Sequence, residues 1–333
     1  MHRDPRPHLS RRRFIGCSAS AAAWPLLART ARADTPPLRV IVPFAAGSPA
    51  DLVLRAIGPH WTQRSGQVLL IDHRPGAAGS LGADAARRAE PDGHTLLLAP
   101  ADVLVNNTAI FRALPYDPQR DFKPLALIGP VPLVLVVPST LGVRTLAEFQ
   151  RWAARPRRVG YGSWGEGSHA HLLAESLLVR QLQLDAVHAP YRGLAPMLQD
   201  LIGGQLNIGF AVPPAAAPHV AAGRLHAIAV SGERRSGVFA EVPTLRELGY
   251  EQPVFRVRQW AAFMAPAATP APVAQRLERQ LLDTLDEPAV RQALHLAGFE
   301  IERAQGSAEA AAMLRADLAV IPPLIRELGV TPQ

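Results

Sequence analysis

Short apolar runs, each broken by a glycine- or proline-containing loop and followed by a stretch of helical spacing, recur along this chain from Leu38 onward. Leu38, Val40, Ile41 and Val42 form the first run, mostly β-branched, as a strand covered on both faces requires. Pro43 and Gly47 end it. Ser48-Pro49-Ala50-Asp51 then carries an N-cap serine, a proline at N1 and an acid at N3, the marks of a helix start. The same rhythm predicts a strand at Val68–Ile71, a glycine-rich turn over Arg74–Ser80, and a small-residue helix capped by Ser80 and running through Arg88. A strand at His94–Leu98 follows, and Ala99-Pro100-Ala101-Asp102 opens the next segment.

Leu125–Gly129 and Leu133–Val137 read as two strands in quick succession, and Thr145-Leu146-Ala147-Glu148 as a second capping box, starting a helix that ends near Ala154. The pattern then restarts. It predicts strands at Val159, Ala186–His188, Leu206–Phe210 and Leu225–Val230, and helices over His169–Arg180, Leu194–Ile202 and Pro214–Ala222. Trp260–Met264 is a late apolar strand, and three helices opened by Pro272, Pro288 and Ser307 close the chain. Alternating strands and helices of this length imply an α/β protein with mainly parallel sheets flanked by helices. A second α/β set in the middle implies two lobes, with the chain crossing near 135 and near 258. Residues 34–134 plus 259–333 form lobe 1 in this reading, and 135–258 form lobe 2.

In such sheets ligands sit beyond the carboxyl ends of the strands, where the loops after Val42, Ile71 and Leu98 converge. The helix start at Ser48 aims backbone N–H groups and a positive dipole end at that place, a seat for an anion such as a carboxylate. By itself it is equally an ordinary capped turn. A second loop, Val159–His171, contains Gly160-x-Gly162-x-x-Gly165, the spacing of a dinucleotide fingerprint. A secreted nucleotide-dependent enzyme is therefore a rival reading. Against it, Asp185 precedes its strand instead of ending one, and the helix is expected to start only at Ser168. The glycines then let the backbone approach a small ligand, with Ser163 and Ser168 adding hydroxyls. Glu166 is either a surface residue or a partner for a ligand amine, and Arg192 either a helix-start residue or a partner for a ligand carboxylate. His169 and His171, two apart, do not share a helix face, and nothing completes a metal set around them. Ser163 has Tyr161 two places before it, so it lacks the glycine of a nucleophile elbow. No catalytic residue, metal or cofactor is expected.

Composition changes the picture in one respect. The formal charge of +7 would suit a nucleic-acid partner, but residues 1–33 hold seven arginines against Asp4 alone. The remainder has 28 basic and 27 acidic residues, nearly neutral, and no nucleic-acid partner is expected. Ser10-Arg11-Arg12-Arg13-Phe14-Ile15 fits a twin-arginine export signal, a weakly apolar stretch runs to Leu27, and Ala31-Arg32-Ala33 fits an A-x-A cleavage site. Cys17, the one cysteine, lies in this leader. The mature chain is then a periplasmic protein with no thiol chemistry.

Taken together, the loops resemble those of the Bug-type solute-binding proteins, the extracytoplasmic receptors of tripartite tricarboxylate transporters. The resemblance starts with Val42-Pro43-Phe44-Ala45-Ala46-Gly47-Ser48-Pro49-Ala50-Asp51. It continues through Arg74–Gly79, Pro91–Leu96, Leu114–Pro118, Tyr161–His171, His188–Gly193 and Asp200–Gln205, to Ala265–Pro272. It implies a two-lobed periplasmic-binding-protein fold of type II-like kind, closing on a small organic acid without catalysis. It places Phe44, Gly47, Ser48 and Asp51 at the ligand on one lobe, Asp51 bracing the turn. On the other it places Ser163, Gly165, Gly167, Ser168 and His171, with Glu166 of the same loop kept as a candidate from its own position. Ser48, Ala50, Ala99-Pro100-Ala101 and Ala211 stand where the family carries a second glycine, a threonine, serine or threonine, and an aspartate. These departures imply a drier pocket and a ligand less polar than a citrate-like acid. The partners so implied are the acid and either membrane transporter subunits or a sensor protein, with the receptor itself a monomer.

Overall fold

The computed structural model describes residues 36–155, 158–256, 258–296, 299 and 303–329. The export leader assigned to residues 1–33 lies outside them. The chain runs through β1 (Leu38–Val42), α1 (Pro49–Ser65), β2 (Leu69–His73), α2 (Ser80–Arg87) and β3 (Thr95–Pro100). A π-helical stretch at Asp102–Asn106 then continues into α3 (Asn107–Ile110), and β4 (Phe122–Val131) follows. Next come β5 (Val134–Pro138), α4 (Leu146–Ala153), β6 (Val159–Ser163), α5 (His169–Ala174) with a π-helical continuation at Glu175–Gln181, and β7 (Ala186–Pro190). α6 (Leu194–Ile202), β8 (Ile208–Ala211), α7 (Pro213–Ala221) and β9 (Leu225–Val230) end the middle set. β10 (Gln259–Pro266), α8 (Ala271–Leu285), α9 (Pro288–Leu296), β11 (Gln305–Gly306) and α10 (Ser307–Glu327) complete the chain.

Two sheets result, ordered β11-β4-β10-β3-β1-β2 and β7-β6-β8-β5-β9, each with its helices forming a lobe. Both are mixed, not mainly parallel. β1 pairs in parallel with β2 and β3, and β6 with β7 and β8. β10 inserts antiparallel between β3 and β4, and β5 antiparallel between β8 and β9. The crossings cause this. β4 leaves the first sheet and β5 enters the second within a few residues, and β10 re-enters the first sheet from the other lobe, so these strands run against the βα units they join.

Local sequence accounts for the helix starts. Ser48 caps α1, its hydroxyl accepting from the Asp51 amide, with Pro49 at N1. Thr145 caps α4 in the same way through the Glu148 amide. Ser80 does not cap α2: Gly79, in the left-handed conformation, occupies the cap position. One core, with Leu54, Ile57, Trp61, Leu96, Phe263 and Leu277, fills the α1–α8 side of the first sheet. Full burial of each aliphatic side chain there contributes about 1.5–3 kcal/mol. A second core is continuous between lobes, joining Val103, Leu104 and Ile110 to Leu172, Leu173 and Leu177, with Leu314, Ile321 and Ile325 of α10 packed in. Among the described residues no helix is long and apolar enough to cross a membrane.

Candidate functional site

The turn between β1 and α1 is built around Asp51. Its carboxylate accepts from the Gly47 amide, Arg55 Nε and His73 Nε2, each at 2.9 Å. Burial alone would raise its pKa, but these bonds outweigh burial and hold the carboxyl below the usual carboxylate range. Asp51 therefore braces the loop from beneath, reaching past the cap residue to Gly47. Pro49 has no N–H, and among the described residues the amides of Ala46 and Ala50 meet no protein acceptor. They lie at the positive end of a 17-residue helix. Close packing sets the loop's position: a Cβ on Gly82 of α2 would lie 2.8 Å from Pro43 Cα and 3.0 Å from the Arg74 carbonyl oxygen.

This turn forms one side of a cavity of about 440 Å³ walled by both lobes. The first sheet supplies its floor. Pro100 of β3 lies opposite Ala261 of β10, and Ala261 opposite Ile128 of β4. Continuing the β1–β3 register, in which Ile41 faces Leu97, brings Phe44 level with Pro100. All four line the cavity. Leu52, Val53, Val131, Trp260 and Phe299 extend that wall, and Leu194, Pro196, Leu198, Val212, Pro214 and Ala215 face it from the second lobe. The polar members are Ser48, Asp102, Trp164, Arg192, Gln199, His219 and Gln259.

Asp102 is the junction of this site. Its Oδ1 accepts from the His169 amide at 2.9 Å, from Asn106 Nδ2 at 3.1 Å, and pairs with His169 Nδ1 at 2.7 Å. Its Oδ2 accepts from Trp164 Nε1 at 3.1 Å and Gln259 Nε2 at 2.9 Å. Burial pushes its pKa up, but the neighbouring His169 and the converging donors prevail, and the carboxyl stays below the ordinary range. Asn106 Nδ2 also donates to the Gly167 carbonyl oxygen at 2.7 Å. Lobe 1 thus grips the Trp164–His169 loop of lobe 2 through one buried carboxylate.

Of the residues singled out in the sequence, Phe44, Gly47, Ser48 and Pro100 line the cavity. Ala101 is fully buried just ahead of Asp102, and Ala211 sits in the core of the second lobe. The second loop folds inward on its own hydrogen bonds. Ser163 Oγ donates to the Gly165 carbonyl oxygen and lies 2.8 Å from His188 Nε2. Ser168 caps α5, Gly167 packs on Ile110, and His171 Nδ1 accepts from the Gly167 amide at 2.9 Å. Glu166 is exposed. Behind the loop the His171 and His188 rings stack at 3.8 Å, next to Tyr161, whose hydroxyl donates to Glu175. Burial pushes His171 down to about 4, and burial with the neighbouring His171 pushes His188 down to about 3.

Gly160 and Gly162, the first two glycines of the dinucleotide spacing, lie within β6 and not in a strand-to-helix turn. A Cβ on Gly162 would come within 2.5 Å of Leu206 Cδ1 and 2.7 Å of Met197 Cγ, so strand-to-helix packing accounts for it. Asp185 pairs with exposed Arg158 at 3.6 Å. Both residues wall a separate depression of about 850 Å³ at the outer edge of the second sheet.

Comparison with known proteins agrees with this geometry. The pattern of the "Tripartite tricarboxylate transporter family receptor" matches residues 53–330. The chain belongs to the tripartite tricarboxylate transporter receptor family. Protein BugT of Bordetella pertussis (strain Tohama I) is 35% identical over 266 residues, covering 79% of this chain and 80% of the relative. A structure of an R. palustris protein with adipate superposes with a TM-score of 0.83 at 28% identity, over 90% of this chain and 99% of that one. MatC from Rhodopseudomonas palustris, with bound malate, gives 0.78 at 29% identity over 87% and 99%. The periplasmic binding protein BugD gives 0.79 at 26%, over 90% and 99%. These tricarboxylate-transporter receptors are solute-binding proteins, and this receptor has their two-lobed fold.

Asp102, Trp164, Gln259, Trp260 and His219 of the receptor's cavity were missed as site residues in the sequence. Asp102 could have been found as the first acid beyond a buried strand's carboxyl end. Gln259 and Trp260 carry no local signal, since they reach the site only because β10 inserts between β3 and β4.

Proposed function

We propose that the protein is an exported receptor that captures a small organic acid between its lobes and presents it to membrane transporter subunits. The observation that supports this best is the cavity of about 440 Å³, a volume typical of small-molecule sites. Into it faces the α1 N-terminus, with two unmet amides, and exposed Arg192 lines it as well. A carboxylate there gains charge-assisted hydrogen bonds and the dipole's field with no proton transfer. Malate and adipate, held by two of the relatives with known structures, are carboxylates of fitting size.

Residues 34–134 plus 259–333 move as lobe 1, and 135–258 as lobe 2. Phe44, Gly47, Ser48 and Pro100 contact the ligand directly, while the Ser163–His171 loop shapes its wall. The receptor works as a monomer in the periplasm after a twin-arginine-type leader is removed. Isothermal calorimetry and thermal shift against organic acids test the binding. A panel of small carboxylates that leaves the melting temperature unmoved would overturn the carboxylate reading. N-terminal sequencing of the exported protein should begin at Asp34.

A further inference from the structure

We propose that the outer edge of the second lobe is a docking surface for an acidic, extended segment of a partner protein, held along β7 and in the depression beside it. A free sheet edge, arginines that no acid balances and a row of glutamine amides coincide there.

β7 is the end strand of the second sheet, and among the described strands it pairs only with β6. The Val159 amide donates to the Asp185 carbonyl oxygen, and the Tyr191 amide to the Ser163 carbonyl oxygen. Alternate residues of a strand turn their backbone groups to the same neighbour. Asp185, Val187, Ala189 and Tyr191 therefore face β6, while Ala186 and His188 direct theirs to the open side. An open edge of this kind takes up an extended segment through main-chain hydrogen bonds.

The depression of about 850 Å³ lies at the start of that edge, lined by Gln150, Arg155, Arg158, Gln181, Gln183 and Asp185. From Gln181 to Asp185 the side chains alternate. Leu182 and Leu184 are half-buried against the core, and Gln181, Gln183 and Asp185 are exposed. The Leu182 amide donates to the Leu177 carbonyl oxygen and the Leu184 amide to that of Leu178, each at 2.9 Å, which winds the turn tightly. Gln183 consequently takes the left-handed conformation, with φ of 52°, where glycine or asparagine would be less strained. What glutamine adds over glycine is a side-chain amide, and that side chain lines the depression.

Charge selects the occupant. Beyond residue 33 the chain is nearly neutral, yet exposed Arg155 and Arg158 line the depression, and exposed Arg151 and Arg180 adjoin its Gln150 and Gln181. Arg158 meets Asp185 at 3.6 Å, both side chains being 72% exposed. Arg180 donates to a neutral partner, the Glu327 carbonyl oxygen. Arg151 and Arg155 meet no acid among the described residues. Nearby acids are engaged elsewhere: Glu148 accepts from the Arg144 amide, and Glu175 from the Tyr161 hydroxyl. A segment bearing carboxylates supplies the balancing charge, and glutamine amides bond to its backbone. A concave surface beside an open strand suits a peptide better than the face of a bilayer.

This surface shares no lining residue with the ligand cavity. It adjoins the amino-terminal ends of β6 and β7, whereas Arg192, Gly193 and Leu194, beyond the carboxyl end of β7, line the cavity. The five residues of β7, about 16 Å of strand, separate the two. A partner docked here is therefore held without use of the cavity's groups.

Fluorescence anisotropy with a labelled peptide of alternating threonine and glutamate, long enough to span β7, tests this. The control peptide has glutamine in place of glutamate. The acidic peptide should bind at least about tenfold tighter than the control, and added salt should weaken it. Arg155→Glu combined with Arg158→Glu should abolish that preference and, both side chains being exposed, leave the melting temperature unchanged. Gln183→Gly should weaken the peptide several-fold with no fall in melting temperature. Arg192→Gln, in the cavity, should leave the peptide affinity as it is. Equal binding of the two peptides, or an affinity unmoved by the double charge reversal, would overturn the proposal. Loss of the peptide in Arg192→Gln would overturn it too, by placing the peptide in the cavity. Capture of the protein by phosphatidylglycerol vesicles without binding of the acidic peptide would overturn it in favour of a lipid surface.

Discussion

Replacing Asp102 by asparagine tests the junction that joins the two lobes. The substitution preserves size and one acceptor. The carbonyl oxygen can still take the His169 amide and Asn106, but the new NH₂ faces two donors, Trp164 Nε1 and Gln259 Nε2. Those two N–H groups lose their shared acceptor, and the His169 ring loses its carboxylate. Stranding one member of a buried charged network costs about 3–5 kcal/mol, and each orphaned buried donor about 1–3 kcal/mol. We expect about 3–5 kcal/mol in urea unfolding. At about 2 °C per kcal/mol for a chain of this size, the melting temperature falls by about 6–10 °C. The difference should itself depend on pH. The Asp102 carboxyl is held below the value of about 3.9 it has when unfolded. Its contribution is thus complete above about pH 4 and is lost as the pH falls through the lower folded value. Wild type and Asp102→Asn should converge in acid. A variant melting within about 1 °C of wild type at pH 7, or a gap that persists undiminished at pH 3, would refute this account of the junction.

His171 and His188, neutral in the fold with pKa values of about 4 and about 3, should make the protein acid-labile. Their stabilising contribution is whole above about pH 6.5 and is lost as the pH falls toward those folded values, by at most about 1.4 kcal/mol per pH unit for each ring. His188→Asn should flatten the melting profile between pH 6.5 and 4, and an unchanged slope would contradict it. Gly82→Ala presses a methyl against Pro43 and the Arg74 carbonyl, so a loss of about 1–3 kcal/mol with weakened carboxylate binding is expected from denaturation and calorimetry. Gly162→Val should cost about as much by overpacking Leu206 and Met197, but leave the ligand seat alone. Ser48→Ala removes a long cap bond of 3.4 Å and should lower stability by about 0.5–1 kcal/mol, measurable by urea titration.

Much of the fold was legible because its signals are local. Helix starts at Ser48, Thr145, Ser168 and Leu194, and the strands at Leu38 and Leu225, follow from caps, prolines and β-branched runs that need no distant partner. The direction of pairing was not legible, because β5 and β10 take their neighbours from parts of the chain far away in sequence. The site divided in the same way. The β1–α1 turn carries its cap signals within ten residues, so its local shape was legible, but the His73 and Gly82 contacts that hold it come from further along the chain. Ser163 and Ser168 read as ligand groups because hydroxyls beside glycines can meet a small ligand, and His171 because the resemblance placed it there. Here they bond to their own loop, and only the contact of Trp164 with Asp102 across the lobes reveals which part of that loop meets the cavity. The position of Asp102 beyond β3 was readable, but its five contacts were not, because they come from four residues spread between positions 106 and 259.

The core shared by the π-helical stretch after β3, α5 and α10 has a bearing on how such a receptor can be divided. Leu172, Leu173 and Leu177 belong to the same buried apolar cluster as Val103, Leu104 and Ile110. A fragment carrying the second sheet alone would present that face to solvent as an aggregation surface. The two halves should therefore melt in a single calorimetric transition. Grafting one lobe onto another receptor to change its ligand would require carrying the spine of α10 and the Asp102–Ile110 segment along with it.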